Sequence, residues 1–420
     1  MNLITCVAAL NYSSIYCIHA ILAPQVTENP IYMHCTRSDV ISLRKCVDQA
    51  AAVGFEMVII SFGAGFDLES TDVAYLSAMR NISDYARSMG VEMGGYDLLA
   101  DTRGRGGDPN AECIAPNGKP DGSTCLASQG SDPVFAHILN FVNETNWGSV
   151  ETDGPFEGES CSSTHHTHHR NLADSVFTQW KRNMDFYHSL MTTGVYINAP
   201  DPYFLDGTHK DGMGYDEEQW GLPRWDWIMQ ARQQIYDNTF HKIASMGWMF
   251  CPIEPYNGGP DSIIEPIAEH LAEYEYILAT YLGTGTQAAY RGTRLYDETV
   301  PASKAMVTKW VRWFKQYREI LNSDIIHIRR PDLHGIDAML HINANVTRCK
   351  ERGLLMVWNQ TPQTRTTQLR VSLYYTGLTE SASVSAEGAA AVKYTLARDY
   401  TIEMEVSMNP MSLTWFVITE

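Results

Sequence analysis

A short apolar run followed by an amphipathic helical pattern recurs along the first three quarters of the chain and constrains the fold more than any other feature. Residues 31–35 predict a strand. A helix is predicted next, with Asp39 as its N-terminal cap and Gly54 after its last turn. Residues 57–61 predict a second apolar strand. Apolar strands that alternate with helices are typical of a parallel sheet covered on both faces. The same pattern predicts further strands at 91–96, 149–153, 195–199, 248–253, 287–290 and 325–328.

This repeat divides the chain into three parts. Seven or eight units over residues 30–330 suit a closed (β/α)₈ TIM barrel better than an open doubly wound sheet. Helical periodicity is lost beyond Arg330, and five short strand patterns predict a C-terminal antiparallel β-sandwich over 331–420. Residues 1–29 are apolar but contain no Lys or Arg, and we interpret them as the remnant of a longer upstream region. No G-x-G-x-x-G follows the first strand, which argues against a dinucleotide site.

Charged side chains gather where the predicted strands end. In a TIM barrel these strand ends form the active-site face. Carboxylate pairs across such a face are what glycoside cleavage requires, one attacking or stabilising the anomeric centre and the other protonating the leaving oxygen. The polar residues at these ends are Asp97, Glu151, Asp153, Asp201, Tyr203, Glu254 and Arg291.

Three segments resemble the catalytic barrels of the α-galactosidase-like clan of glycoside hydrolases: SVETDGPFEG, YINAPDPYFLDGTHKDGMGYDEEQWGLPR and SMGWMFCPIEPYNGG. The resemblance implies a retaining mechanism on an α-glycoside without a cofactor. It assigns Asp153 as nucleophile, Glu254 as acid/base and Asp201 as a ligand of a sugar hydroxyl. The chain departs from the clan in two places. Glu151 stands where the clan has Lys, and IISFGAGF lacks the paired aspartates after strand two, so the implied substrate is not restricted to a terminal α-galactose.

Other residues compete for these roles or add to the site. Asp216 or Glu217 lies in a Gly/Tyr/Trp-rich loop and is an alternative general acid, while Glu151 is an alternative nucleophile on the same side of the strand as Asp153. Trp220 precedes Gly221 in that loop, where we expect its ring to stack on a sugar.

The run His165–His169 follows the candidate nucleophile closely and has three open interpretations. Histidine is a common zinc ligand, but this run does not have the helix-spaced H-E-x-x-H pattern. The run either lines the sugar cleft, with His165 as a substrate contact, or is exposed, or binds a metal. We expect no metal at the catalytic site, and the absence of any CxxC pair argues against a structural zinc site.

Charge and hydropathy limit the partners. With a net charge of −18 and only 31 Lys and Arg, the chain is unsuited to nucleic acid. No stretch is long and apolar enough to predict membrane insertion. A neutral oligosaccharide, polysaccharide or glycoconjugate is the expected substrate.

Cysteines and glycosylation sequons favour a secreted or lumenal protein. Cys113 and Cys125 bracket a Gly/Pro-rich loop and predict a disulfide, in which Cys161 is able to replace either partner. The N-x-[ST] sequons predict a glycoprotein and lie at Asn11, Asn81, Asn143, Asn345 and Asn359.

The leading hypothesis is therefore an α-galactosidase-like glycoside hydrolase. The first alternative is a metal-dependent hydrolase that uses His165–His169 with Asp153. The second is a carbohydrate-binding pseudoenzyme that keeps the aromatic residues but has lost the chemistry, because one barrel fold hosts many functions.

Overall fold

The computed structural model describes residues 30–99, 108, 110–153, 159–199, 221–240, 243–255, 259–345 and 349–420. Up to residue 321 the described part of the chain alternates strands and helices. In chain order these are β1 (Tyr32–Cys35), α1 (Val40–Val53), β2 (Met57–Ile60), α2 (Val73–Ser88), β3 (Glu92–Asp97), β4 (Glu112–Ile114), β5 (Pro120–Thr124), α3 (Asp132–Thr145), β6 (Ser149–Thr152), α4 (Leu172–Met191), β7 (Tyr196–Asn198), α5 (Arg224–Asn238), β8 (Met249–Pro252), α6 (Leu271–Thr284), β9 (Ala288–Gly292) and α7 (Pro301–Leu321).

The seven strands predicted from 31–35 to 287–290 are confirmed, and they form one parallel sheet. Its order among the described residues is β7-β6-β3-β2-β1-β9-β8, while β4 and β5 form a separate hairpin. The predicted signals at the first helix also hold. The Asp39 carboxylate accepts from the Ser42 backbone N–H at 3.0 Å, and Gly54 ends the helix with a φ of +90°.

Side-chain contacts show that this sheet is strongly curved. His34 on β1 lies 3.0 Å from Glu151 on β6, although β2 and β3 separate their strands. Gln287, just before β9, likewise donates to the hydroxyl of Tyr196 on β7. A flat sheet would hold these strands far apart, since neighbouring strands are spaced by about 4.8 Å. The sheet is therefore curved as in a half-barrel, and these side chains meet on its concave face.

The eighth strand predicted at 325–328 was wrong. Its residues belong to β10 (Asp324–Arg329), which pairs antiparallel with the next strand along the chain instead of joining the parallel sheet. A short apolar run suits either environment, so its composition did not distinguish them. The parallel sheet is described with β7 and β8 as its edges. Closure into eight strands stays a prediction.

The C-terminal part consists of antiparallel strands, as predicted. They continue as β11 (Asp337–Ile342), β12 (Gly353–Asn359), β13 (Arg365–Ser372), β14 (Ser381–Ala386), β15 (Val392–Thr395), β16 (Thr401–Met408) and β17 (Ser412–Thr419). One sheet has the order β10-β11-β12-β17-β14-β15, and β13 pairs with β16. Leu355 and Val357 from the larger sheet share a buried core with Val371 and Met404 from the smaller one.

Two features that the sequence analysis predicted, a disulfide and a glycosylation site, are not supported by the structure. The predicted disulfide is not formed, because Cys113, Cys125 and Cys161 are not bridged to one another. The Asn359 sequon is unsuited to glycosylation in the folded chain. That side chain is fully buried, and its amide donates to the carbonyls of Gln363 and Asn409 at 2.9 and 2.8 Å.

His341, which is buried, and His327, which is half-buried, make the fold sensitive to acid. Burial lowers the pKa of both His327 and His341 from 6.5 to about 4. Between about pH 6.5 and pH 4 the unfolded chain therefore binds more protons than the folded one, so stability falls as the pH falls. We expect the thermal midpoint to drop across this window. His341→Gln keeps a donor for the Gly283 carbonyl, which lies 3.1 Å from the ring, but does not titrate. The melting temperature of this variant should fall less steeply with decreasing pH than that of the wild type. An equal slope would contradict the assignment of this pH dependence to His341.

No helix within the described ranges combines the length and the apolar character needed to cross a bilayer.

Candidate active site

A buried polar cluster forms the floor of the concave face. Glu151 on β6 is fully buried, and its Oε2 lies 3.0 Å from His34 Nε2 and 2.6 Å from Asn198 Nδ2. These side chains come from the first, fourth and fifth strands of the parallel sheet and meet across the interior. A buried carboxylate requires such donors, because an unpaired charge is costly in an apolar interior. Glu151 is thus held rigidly beneath the strand ends.

Asp153 comes two residues after Glu151, so it lies on the same side of the strand and nearer to the carboxyl end of the sheet. Between them, Thr152 points the other way and its hydroxyl lies 2.6 Å from that of Tyr187 on α4. Asp153 is partly exposed, and its Oδ2 accepts a hydrogen bond from the Tyr96 hydroxyl at 2.6 Å. A partly exposed carboxylate that follows a buried strand is accessible to a ligand entering from the strand ends.

Arg291 supplies a cation on the same concave face. It pairs in register with His34, whose side chain also points inward. Arg291 Nε donates to the Ser61 hydroxyl at 3.1 Å, and its guanidinium also reaches the Phe62 carbonyl at 3.4 Å. These bonds tie β9 to the loop after β2 and hold positive charge near the opening.

Glu254 follows β8 and is fixed by residues that follow two neighbouring strands. Its Oε2 accepts from the Thr36 hydroxyl at 2.9 Å, and its Oε1 accepts from the Thr293 backbone N–H at 2.9 Å and from the Thr293 hydroxyl. A carboxylate with donors on both oxygens is well positioned. To protonate a leaving group, it would have to give up at least one of these bonds.

A cavity of about 400 Å³ opens between the loops that follow β2 and β3, and one of its lining residues is Tyr96, the donor to Asp153. Tyr96 and Asp97 line it together with the loop 61–67 after β2 and with His137 on α3. Gly95 lets this loop approach, because a Cβ there would lie 2.2 Å from the Phe66 ring. Phe62 is 38% exposed, and its ring meets that of Tyr96 edge-on, with centroids 5.6 Å apart.

The histidine run does not act as one unit. His165 is exposed, and His168 lies 2.9 Å from Asp132. His166 and His169 are buried and turn toward Cys161. The remaining predicted site residues lie outside the described residues, and they are Asp201, Tyr203, Asp216, Glu217 and Trp220.

Sequence reasoning missed three residues that the structure places at this site. His34, Tyr96 and Asn198 each interrupt or end an otherwise apolar strand, and that polar interruption was the available signal. Their partners were not predictable, because the contacts depend on the curvature of the sheet.

A parallel, barrel-like sheet followed by antiparallel sheets is the α-galactosidase-like fold. Solved structures agree. The α-galactosidase of Lactobacillus brevis superposes with a TM-score of 0.66 at 14% identity, over 94% of this chain and 56% of its own. The GH36 α-galactosidase AgaB of Geobacillus stearothermophilus gives a TM-score of 0.66 at 12% identity, over 93% of this chain and 55% of its own.

A further neighbour matches along nearly its whole length. A Bacillus halodurans structure assigned as an α-N-acetylgalactosaminidase has a TM-score of 0.59 at 12% identity, over 93% of this chain and 97% of its own. The chain spans about half the length of the α-galactosidases that it matches. No family model and no curated protein matches the sequence. The chain thus shares the fold predicted from the resemblance, as a divergent example of it.

Proposed function

We propose that the protein is a retaining glycoside hydrolase that cleaves an α-galactoside or α-N-acetylgalactosaminide. The observation that carries this proposal is the position of Asp153: a partly exposed carboxylate at the end of the fourth parallel strand of an α-galactosidase-like fold, oriented by Tyr96. In the proposed reaction Asp153 attacks the anomeric carbon while an acid protonates the leaving oxygen. Water then releases the sugar from the glycosyl ester, with the same residue acting as base.

The contacts of the two candidate nucleophiles favour Asp153 over Glu151. Glu151 is fully buried and engaged by His34 and Asn198, so an incoming sugar would have to displace these donors to reach it. Asp153 is partly exposed, and the Tyr96 hydroxyl donates to its Oδ2 and orients the carboxylate. We assign Glu151 to the floor of the site, where it orients His34.

The lining of the cavity supports a sugar as ligand. Phe62 and Tyr96 present aromatic surface beside the nucleophile, and sugars stack their C–H faces on such rings. Asp97, in the same cavity, adds an acceptor for hydroxyl groups. In place of the clan's paired aspartates after the second strand, this chain has the loop that carries Phe62. We therefore propose a substrate recognised there by apolar contact, such as an N-acetyl group or a second sugar.

Two residues are candidates for the acid. Glu254 follows β8. This strand pairs with β9, which in turn pairs with β1 on the side away from β2. Glu217 belongs to the connection between the two edge strands, β7 and β8. The resemblance matches Glu254 to the clan's acid, and its well-fixed carboxylate also favours it. Glu217 stays the alternative acid.

Aryl glycosides test the activity and separate the two acids. We expect hydrolysis of nitrophenyl α-galactoside or α-N-acetylgalactosaminide and none of the β-anomers. The variant that lacks the acid should lose far more activity on a poor leaving group than on an activated aryl one, because only the former needs protonation. Glu254→Gln and Glu217→Gln are compared on both substrates. Absence of turnover on every α-glycoside would overturn the proposed function.

A further inference from the structure

A cluster of thiols and imidazoles lies outside the candidate active site. The cluster consists of Cys125, Cys161, His166 and His169, and all four residues are buried. Each offers one sulfur or nitrogen ligand atom, and these four atoms lie within 4.8 Å of one another. The residues come from two segments: the end of the β4–β5 hairpin and the loop that leads into α4. We propose that these four side chains bind a structural zinc ion.

The spacing of the ligand atoms fits a tetrahedral site. Zinc binds imidazole nitrogen at about 2.0–2.1 Å and thiolate sulfur at about 2.3 Å, so tetrahedral angles place two nitrogens about 3.3 Å apart and a sulfur about 3.6 Å from a nitrogen. His166 Nδ1 lies 3.1 Å from His169 Nε2 and 3.5 Å from Cys161 Sγ. A zinc ion fits among these atoms with little adjustment.

The surroundings complete the site as they do in structural metal centres. The other ring nitrogen of His169 lies 3.3 Å from the Asn171 carbonyl, which leaves Nε2 without a proton and directed at the cluster. The Ile114 backbone N–H donates to Cys161 Sγ at 3.3 Å and stabilises a thiolate there. Two thiolates and Zn²⁺ give a neutral unit, which suits the apolar packing around it.

A third thiol nearby is assigned a different role. Cys113 packs against Cys125 and Cys161, but its Sγ lies 3.9 Å from Gln179 Oε1, to which a protonated thiol donates. We therefore exclude Cys113 from the ligand set. The closed Cys₂His₂ set is typical of structural zinc, since catalytic zinc keeps one position open for water.

The location of the site gives the metal a structural purpose. The ligand Cys161 comes eight residues after Asp153, and His169 lies just before α4. The ion would fasten the segment that leaves the nucleophile strand to the β4–β5 hairpin, which has little core of its own. The same four residues explain why no disulfide forms at the cysteines that the sequence analysis paired.

Metal analysis of the full chain, purified without a polyhistidine tag, tests the proposal. We expect about one zinc per chain in the wild type and its loss in Cys161→Ser and in His169→Gln. His165→Gln and His168→Gln come from the same run and are matched controls that should keep the metal, as should Cys113→Ser. Zinc lost from these controls, or retained in both ligand variants, would overturn the assignment of the four ligands.

Cobalt spectroscopy keeps the test decisive if the ligand variants do not fold. Wild-type protein loaded with Co²⁺ should show tetrahedral d–d absorption and a sulfur-to-cobalt charge-transfer band. Chelation should remove zinc and lower the melting temperature, because a structural metal stabilises only the folded state. Metal-free protein with free thiols, or with a disulfide found by mass spectrometry, would overturn the site whether or not the chain hydrolyses glycosides.

Discussion

Asp153→Asn is expected to abolish hydrolysis of an α-glycoside while leaving the fold intact. The amide is nearly isosteric with the carboxylate and keeps an oxygen to accept from the Tyr96 hydroxyl, so packing around β6 should survive. The amide carries no negative charge and cannot form the glycosyl ester. The turnover number should fall by several orders of magnitude, each tenfold loss corresponding to about 1.4 kcal/mol of barrier. Steady-state kinetics and a melting curve measure the two halves of this prediction.

Glu151→Gln is the matched comparison, two residues away on the same face of the strand. Its amide still meets Asn198 and His34, so we expect a smaller loss of activity that reflects a shifted histidine. If Glu151→Gln is inactive while Asp153→Asn retains near-normal turnover, the nucleophile is Glu151 and the reaction takes place deeper in the concave face than we propose.

Asp337→Ala should produce the largest loss of stability that we predict. Arg232 on α5 is buried and donates to Asp337 on β11, to Gln360 at 2.5 Å and to the Tyr276 hydroxyl at 3.2 Å. Removing the carboxylate leaves a buried guanidinium without its counter-charge, which typically costs about 3–5 kcal/mol. Urea unfolding should show this as a lower midpoint. The pair joins the two parts of the chain, so their docking should weaken as well.

Two controls distinguish this effect from a general sensitivity to charge. Asp185→Ala removes a partner of the exposed Lys181 pair on α4 and should change stability by no more than about 0.5 kcal/mol. Replacing Arg232 by Met and Asp337 by Leu together should recover much of the loss, because no unpaired charge stays buried. A double variant as unstable as Asp337→Ala would show that packing, not charge, explains the result.

The parallel strands were predictable because most are short, mainly apolar runs that lie between a helix end and a capping residue, as at Gly54 and Asp39. The error at 325–328 arose because apolar composition does not specify parallel or antiparallel pairing. The five strands predicted beyond Arg330, at 354–358, 369–375, 392–396, 402–406 and 413–418, did not include Ser381–Ala386, because Ser and Ala give little strand signal.

Residues at the ends of strands were predictable as site candidates, but their contacts were not. The His34–Glu151 pair spans residues 117 apart in sequence and depends on the curvature of the whole sheet. The thiol–imidazole cluster is similar, because its members come from two segments and no short motif such as CxxC announces it. Local patterns thus predict elements, whereas cross-sheet and loop-to-loop contacts require the fold.

Trapping the covalent intermediate tests the central claim most directly. A fluorinated α-galactoside with an activated leaving group should form the glycosyl ester faster than water can hydrolyse it. Mass spectrometry of the proteolysed protein is expected to find the sugar on the peptide that contains Asp153, with fragmentation assigning it to that residue. A sugar attached to Glu151 instead would show that Glu151 is the nucleophile. Turnover of an α-glycoside with inversion and no covalent adduct under any condition would contradict the proposed mechanism.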